Sequence, residues 1–327
     1  MHTTTYQIYG YTPSFSPNLA ALVIFAVFWV AHMTLSVVYR QAWIGTTFSI
    51  ACGLETAGYI GRVLSSKADP MADAFNDYLV QIICLTIAPV FFMAGIYFMF
   101  AQVTLIYGPA FSRVRPWTYS RVFIVLDVVC LVLQAAGGGI AASADGEKEA
   151  QHGTNIMVGG LALQVAVTTI FFILCADFAI LARKATKAHS ASGTPFPPDM
   201  FPEKFAYIRD HKFVWYIIYG NLLAVIFVYT RSIYRVAELS EGWSGFLMNH
   251  ENYFLVLDAL MVGLGVFCTL VFYSSIIVGR IPITREFKII QEQCLEVKAK
   301  GDDLDMSSEQ PYAYKDDQKI SSADINA

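Results

Sequence analysis

A chain of 327 residues that is 56% hydrophobic and only 15% charged, against roughly a quarter charged in an ordinary soluble domain, cannot hide its apolar surface from water. The formal net charge of -4 comes largely from the carboxyl tail and gives no basis for a nucleic-acid partner. Five of the six cysteines (Cys52, Cys84, Cys130, Cys175, Cys268) fall in apolar blocks and Cys294 lies in the tail, which leaves no loop pair for a disulfide and no clustered metal site.

The first seventeen residues carry neither Lys nor Arg, so the first apolar block reads as a retained anchor rather than a cleaved signal peptide. Residues 1–18 are expected to be an extracellular amino-terminal segment. Seven blocks then follow, each long enough to cross a hydrocarbon core of about 30 Å as helix: residues 19–39, 43–64, 78–107, 122–142, 155–181, 213–236 and 254–278. They do not alternate polar with apolar, which excludes a β-barrel. The expected fold is therefore all-α, a seven-helix transmembrane bundle over residues 19–279 with a tail over 280–327.

Orientation follows from the short connections. One set holds Arg40, then Arg113, Arg115 and Arg121, then Arg183, Lys184, Lys187, Lys204, Arg209 and Lys212, and finally Arg280, Arg285 and Lys288. The other set holds little beyond Lys67 and Lys148. The first set is expected in the cytoplasm, which puts the amino terminus outside and the carboxyl terminus inside. The fifth connection carries Thr194-Pro-Phe-Pro-Pro-Asp-Met-Phe-Pro202, a polyproline-like spacer. The acidic, Ser-rich tail from Gly301 reads as disorder and is the surface on which a cytoplasmic partner is expected, if the chain has one.

An ionisable group at mid-membrane costs about 2.5–3.5 kcal/mol on insertion scales, so it faces the bundle interior, snorkels or pairs. In helix two, Glu55, Tyr59 and Arg62 share one stripe, and Gly53, Gly58 and Gly61 let a neighbour approach. Ala88-Pro89 in helix three should kink it and free a backbone carbonyl. Helix four carries Gln134-Ala-Ala-Gly-Gly-Gly139 and helix five Gln164. The glycines serve either close packing or a substrate-facing bend. Arg231, Arg235 and Glu238 lie on one face at the end of helix six, and Asp258 begins helix seven just after Glu251. These groups support two readings: ion pairs that stitch helix ends together, or an outward-facing polar vestibule for the head group of an amphiphile. Phe123-x-Val-Leu-Asp127 recurs as Phe254-x-Val-Leu-Asp258 on an oppositely directed helix, a match too short to establish an inverted repeat. Asp127 is expected to cap helix four or pair with Arg121.

The stretches Gly53-Leu-Glu…Gly58-Tyr…Arg62, Ala88-Pro89, Asp127-Val…Gln134-x-x-Gly-Gly-Gly, Gly160-Leu…Gln164, Arg231-Ser-Ile-Tyr-Arg-Val-Ala-Glu238 and Asp258 resemble the fungal RTA-like, or lipid-translocating exporter, proteins. The resemblance runs from about Tyr11 to Gly279. It departs after Tyr97, where Phe-Met-Phe-Ala-Gln-Val-Thr stands in place of a Gly-Arg pair. It implies a seven-helix fungal membrane protein associated with export of sphingoid bases or resistance to toxic amphiphiles, and in some relatives with porphyrin or haem handling; helix length and the outward amino terminus suit the plasma membrane.

Three function classes remain to be weighed. A translocator of a lipid-like amphiphile, a sphingoid base or a sterol-like molecule, would bind it through Glu55, Tyr59, Arg62, Gln134, Gln164, Arg231, Arg235, Glu238 and Asp258. A receptor or sensor shares the topology, but helix three lacks an Asp/Glu-Arg-Tyr triplet, helix seven lacks Asn-Pro-x-x-Tyr, and no block holds a Lys for a retinal Schiff base. An enzyme finds little support, since His32 is the one histidine expected in a helix, Ser274-Ser275 has no histidine partner, and no Gly-x-x-x-x-Gly-Lys loop is present. No catalytic residue, metal or cofactor is assigned. A membrane lipid or amphiphilic small molecule is the expected partner, and a homo-oligomer is left open.

Overall fold

Backbone groups in lipid have no water to bond, so an apolar segment satisfies them within itself as helix. The computed structural model describes Tyr11 and residues 13–67, 74–107, 116–144, 146–192, 213–242 and 245–273. They form seven helices: α1 (Phe15–Tyr39), α2 (Ala42–Lys67), α3 (Ala74–Tyr107), α4 (Pro116–Ser143), α5 (Glu147–Ser192), α6 (Phe213–Ser240) and α7 (Glu251–Val271). The polyproline stretch, Ser274-Ser275 and the tail lie outside the described residues.

Six of the seven helices are long and apolar enough to cross a membrane, which makes this a multi-pass membrane protein. The exception is α2, where Glu55, Arg62 and many Ser, Thr and Gly residues dilute the apolar content; it packs between α1 and α3 all the same. The outer faces are apolar, with Val30 at 63% and Val37 at 76% exposure, while Glu55, Arg62, Asp127, Arg231, Glu238 and Asp258 are buried. That inversion of the soluble pattern suits lipid as the surrounding solvent.

Each helix packs on the next in sequence, and α7 returns to α1. The central member is α3, which also touches α5, α6 and α7 and is apolar on all sides, as a helix surrounded by others should be. We call the end where α1 and α7 begin and α2 and α6 finish the upper end.

One helix runs well beyond its apolar block, and the expectation that His32 is the one histidine in a helix needs correction. Forty-six residues of α5 stay helical, about 69 Å, where the apolar block spans only 155–181. The helix-forming residues Arg183, Lys184, Lys187 and Lys148 extend it past both ends of the apolar stretch, because helix propensity does not stop where hydrophobicity does. His152 and His189 therefore lie on α5 rather than in loops.

Glycines decide how closely two of these pairs meet. A Cβ on Gly137 of α4 would come within 2.4 Å of the Met157 backbone on α5, and one on Gly153 within 2.4 Å of Ala141, so the two backbones touch there. Gly139, from the same triplet, faces open space. The triplet's first glycine thus serves close packing.

Candidate functional site

The charged groups of α2, α6 and α7 converge at the upper end. Asp258 is the hub, at 1% exposure: Arg235 Nε donates to its Oδ1 at 2.8 Å, and Arg231 Nε lies 2.9 Å from the same oxygen without directing its N–H at it. Arg235 Nη1 also donates to Glu238 Oε2 at 2.9 Å, and the Tyr234 hydroxyl donates to Glu238 Oε1 at 2.8 Å. The spacing of four and three residues along α6 puts all of these on one face. A π-helical turn over Leu255–Leu260 carries Asp258, and such insertions re-aim side chains at functional sites.

The carbonyl freed by Pro89 has a partner. Pro89 lacks the N–H that would bond Leu85 O, and Arg231 Nη2 donates to that oxygen at 2.6 Å. One guanidinium thereby joins the kink in α3 to the acid on α7.

A second node ties α1 and α2 to the start of α7. Arg62, at 1% exposure, donates from Nε to Asn18 Oδ1 at 2.7 Å, and from Nη2 to the Tyr11 hydroxyl at 2.6 Å and Glu251 Oε1 at 3.1 Å. Asn18 Nδ2 donates to Glu251 Oε1 at 2.8 Å, and the Ser14 amide to both Glu251 oxygens at 3.0 Å. Burial holds the Tyr11 phenol above its ordinary pKa, with Arg62 opposing, so at neutral pH it accepts from Arg62 as an intact hydroxyl. The Phe254 ring joins the two nodes, with the Arg62 guanidinium carbon 4.1 Å and the Arg235 carbon 5.2 Å from its centroid.

Glu55 differs from every other acid here. It is 2% exposed, neither carboxyl oxygen has a hydrogen-bond partner, and no ion pair reaches it among the described residues, although Arg231, Arg235 and Asp258 are its electrostatic neighbours. Tyr59, one turn on, stacks on Phe25 at 5.4 Å and leaves its hydroxyl without a partner. Three arginines (Arg62, Arg231, Arg235) thus stand among four acids (Glu55, Glu238, Glu251, Asp258), and the acid left over is Glu55.

Of the residues expected to line the site, Glu55, Tyr59, Arg62, Arg231, Arg235, Glu238 and Asp258 come together in this way. Gln134 and Gln164 instead form their own pair between α4 and α5, with Gln134 Nε2 donating to Gln164 Oε1 at 2.9 Å. Asp127 neither caps α4 nor meets Arg121. It accepts from the Tyr97 hydroxyl at 2.8 Å, because α4 turns it inward against α3. Sequence reasoning missed Asn18 and Tyr234. An Asn at the start of an apolar helix was the available signal for the first, and a Tyr between two arginines for the second. No group of three or more His, Cys, Asp or Glu side chains that could hold a metal occurs among the described residues.

The chain is similar in sequence to several yeast proteins. The chain is 36% identical over 283 residues to the sphingoid long-chain base transporter RSB1 of Saccharomyces cerevisiae (strain Lalvin EC1118 / Prise de mousse), covering 81% of this chain and 73% of the relative. It is 28% identical to Protein RTM1 of Saccharomyces cerevisiae, over 71% of this chain and 69% of that one. It is 27% identical to protoporphyrin uptake protein 1 of Saccharomyces cerevisiae (strain ATCC 204508 / S288c), over 65% and 63%. No solved structure matches. A family model described as RTA1 like protein matches residues 48–280, from α2 through the site acids to the end of the bundle, and the chain belongs to that family.

Proposed function

We propose that this protein moves a single-chain amphiphile with a cationic head group, of the sphingoid-base kind, across the membrane, and that the Glu55 carboxyl receives the ammonium group. The observation that carries the reading is the unmatched acid: a buried carboxyl with no hydrogen bond and no arginine of its own is costly unless something cationic visits it. Asp258 and Glu238, already engaged by arginines, form the polar wall beside it. Tyr59 offers a hydroxyl without a partner one helical turn away. The similarity to a sphingoid long-chain base transporter supports the same substrate class.

A porphyrin substrate has less support despite the relative named for protoporphyrin uptake. Porphyrin side chains bring carboxylates, and each arginine of the cluster already faces an acid. The upper end faces the exterior and the tail the cytoplasm on this reading, because Arg183, Lys184 and Lys187 lie at the other end. A cell-surface membrane suits that placement.

The test is binding by the full-length protein in nanodiscs of sphinganine and of octadecanol, its neutral counterpart in chain length. A preference for the amine of about tenfold or more is expected, from the strength of a charge-assisted contact, and Glu55→Gln should abolish it. Equal binding of amine and alcohol by the unmodified protein would overturn the proposal.

A further inference from the structure

The upper cluster does not use every buried acid of the bundle. Asp127, eleven residues into α4, is 1% exposed and has one partner, the Tyr97 hydroxyl at 2.8 Å; its Oδ1 has none. No Lys, Arg or His nitrogen pairs with it among the described residues. Tyr97 and Leu85 are twelve residues apart on α3, so this acid sits about 18 Å along that helix from the contact between Leu85 and Arg231. It belongs to the lower half of the bundle and to a different set of helices.

Its surroundings differ in kind from the upper site. Its partner Tyr97 belongs to an aromatic cluster: Tyr97 meets Phe171 edge-on at 4.5 Å and Phe123 at 5.5 Å, and Phe123 meets Phe171 at 5.2 Å. A carboxyl bonded to the edge of an aromatic cluster, with no cation paired to it, is a combination that receives an alkylammonium group. Phe100, which packs on Phe171 at 5.6 Å, also lines a small cavity between α3, α5 and α6. In that cavity wall the Asn221 side chain, at 5% exposure, has neither its amide nitrogen nor its oxygen bonded. Two unsatisfied buried polar groups therefore flank one aromatic wall. In a settled core, nearly all such groups find partners.

We propose that Asp127 and Tyr97 form a second amine-binding site, in the lower half of the bundle, for the same long-chain primary amine. The proposal rests on the reading of Glu55 as the upper acceptor and adds a second stop on the way through. The ammonium pairs with Asp127, and Tyr97 orients that carboxyl through its hydroxyl. The matching Phe-x-Val-Leu-Asp strings then have a physical meaning: each places a buried Phe one turn before a buried Asp, at 6% and 1% exposure on α4 and 4% and 1% on α7.

A photoactivatable sphingoid base and the matching photoactivatable long-chain alcohol test this on the full-length protein in nanodiscs, with labelled peptides identified by mass spectrometry. The amine should label α4 around Asp127 about tenfold more than the alcohol does. Asp127→Asn should remove that excess while amine labelling near Glu55 persists. The comparison of amine with alcohol in the unmodified protein needs no variant to fold. Amine-selective labelling near Glu55 with equal labelling of α4 by both probes would overturn the lower site and leave the upper one standing. No amine selectivity at either place would overturn both.

Discussion

The Leu85 carbonyl and the Arg231 guanidinium, 2.6 Å apart, are the point at which the kink of α3 is joined to the charge cluster. A proline normally leaves the fourth carbonyl before it to water or to a bend. Here a side chain 146 residues away takes it, and the same side chain lies 2.9 Å from Asp258. The kink of α3 and the acid of α7 thus share the Arg231 guanidinium, with Arg235 as the second arginine on Asp258.

That linkage predicts non-additivity. Arg231→Met strands both Leu85 O and part of the Asp258 charge and should cost about 3–5 kcal/mol, read as a fall in the midpoint of thermal unfolding in detergent. Pro89→Ala restores an N–H for Leu85 O, so the double variant should lose less than the two single losses combined. Strict additivity would mean that the contact carries no weight.

Glu55 and Asp258 should respond in opposite directions. Asp258→Asn leaves Arg231 and Arg235 without their shared acid and should destabilise by about 3–5 kcal/mol. Glu55→Gln removes a buried acid that bonds to nothing, and its unfolding midpoint should equal or exceed that of the unmodified protein. A large loss of stability in Glu55→Gln would reveal a partner for the carboxyl.

Asn18 clasps the start of α1 to α2 and α7, accepting from Arg62 and donating to Glu251. Asn18→Ala should cost about 1–3 kcal/mol and raise amide hydrogen exchange over the first turns of α1 and at the start of α7. Exchange that rises evenly through the whole bundle would count against a local clasp.

The glycine triplet offers an internal control. Gly137→Ala pushes a methyl group into the α5 backbone and should destabilise by about 1–3 kcal/mol or more, whereas Gly139→Ala meets nothing within 4 Å and should be neutral or slightly stabilising. Equal effects at the two positions would contradict the helix contact described here.

Some of this was plain in the sequence and some was not, for identifiable reasons. Leu19 to Tyr39 announces a helix because it is a long apolar run without Asp, Glu, Lys or Arg. Pro89 announces a stranded carbonyl because its ring removes a donor whatever the context. The long reach of α5 was hidden, since Lys and Arg mark the edge of the bilayer without ending a helix. The π-turn at Asp258 was hidden too, because Leu-Val-Leu-Asp-Ala-Leu carries no local signal for an extra residue in the turn.

By itself the sequence determined that lipid is the solvent, that seven helices form, and which polar side chains must be kept from that lipid. Those are consequences of composition taken over one turn or one span at a time. Only the tertiary structure decided which acid meets which arginine, since Arg62 and Glu251 are 189 positions apart and meet through the relative rotation and depth of separate helices. It likewise decided that Glu55 and Asp127 form no ion pair among the described residues. A shortage of partners belongs to the whole set of packed faces and to no single stretch of chain.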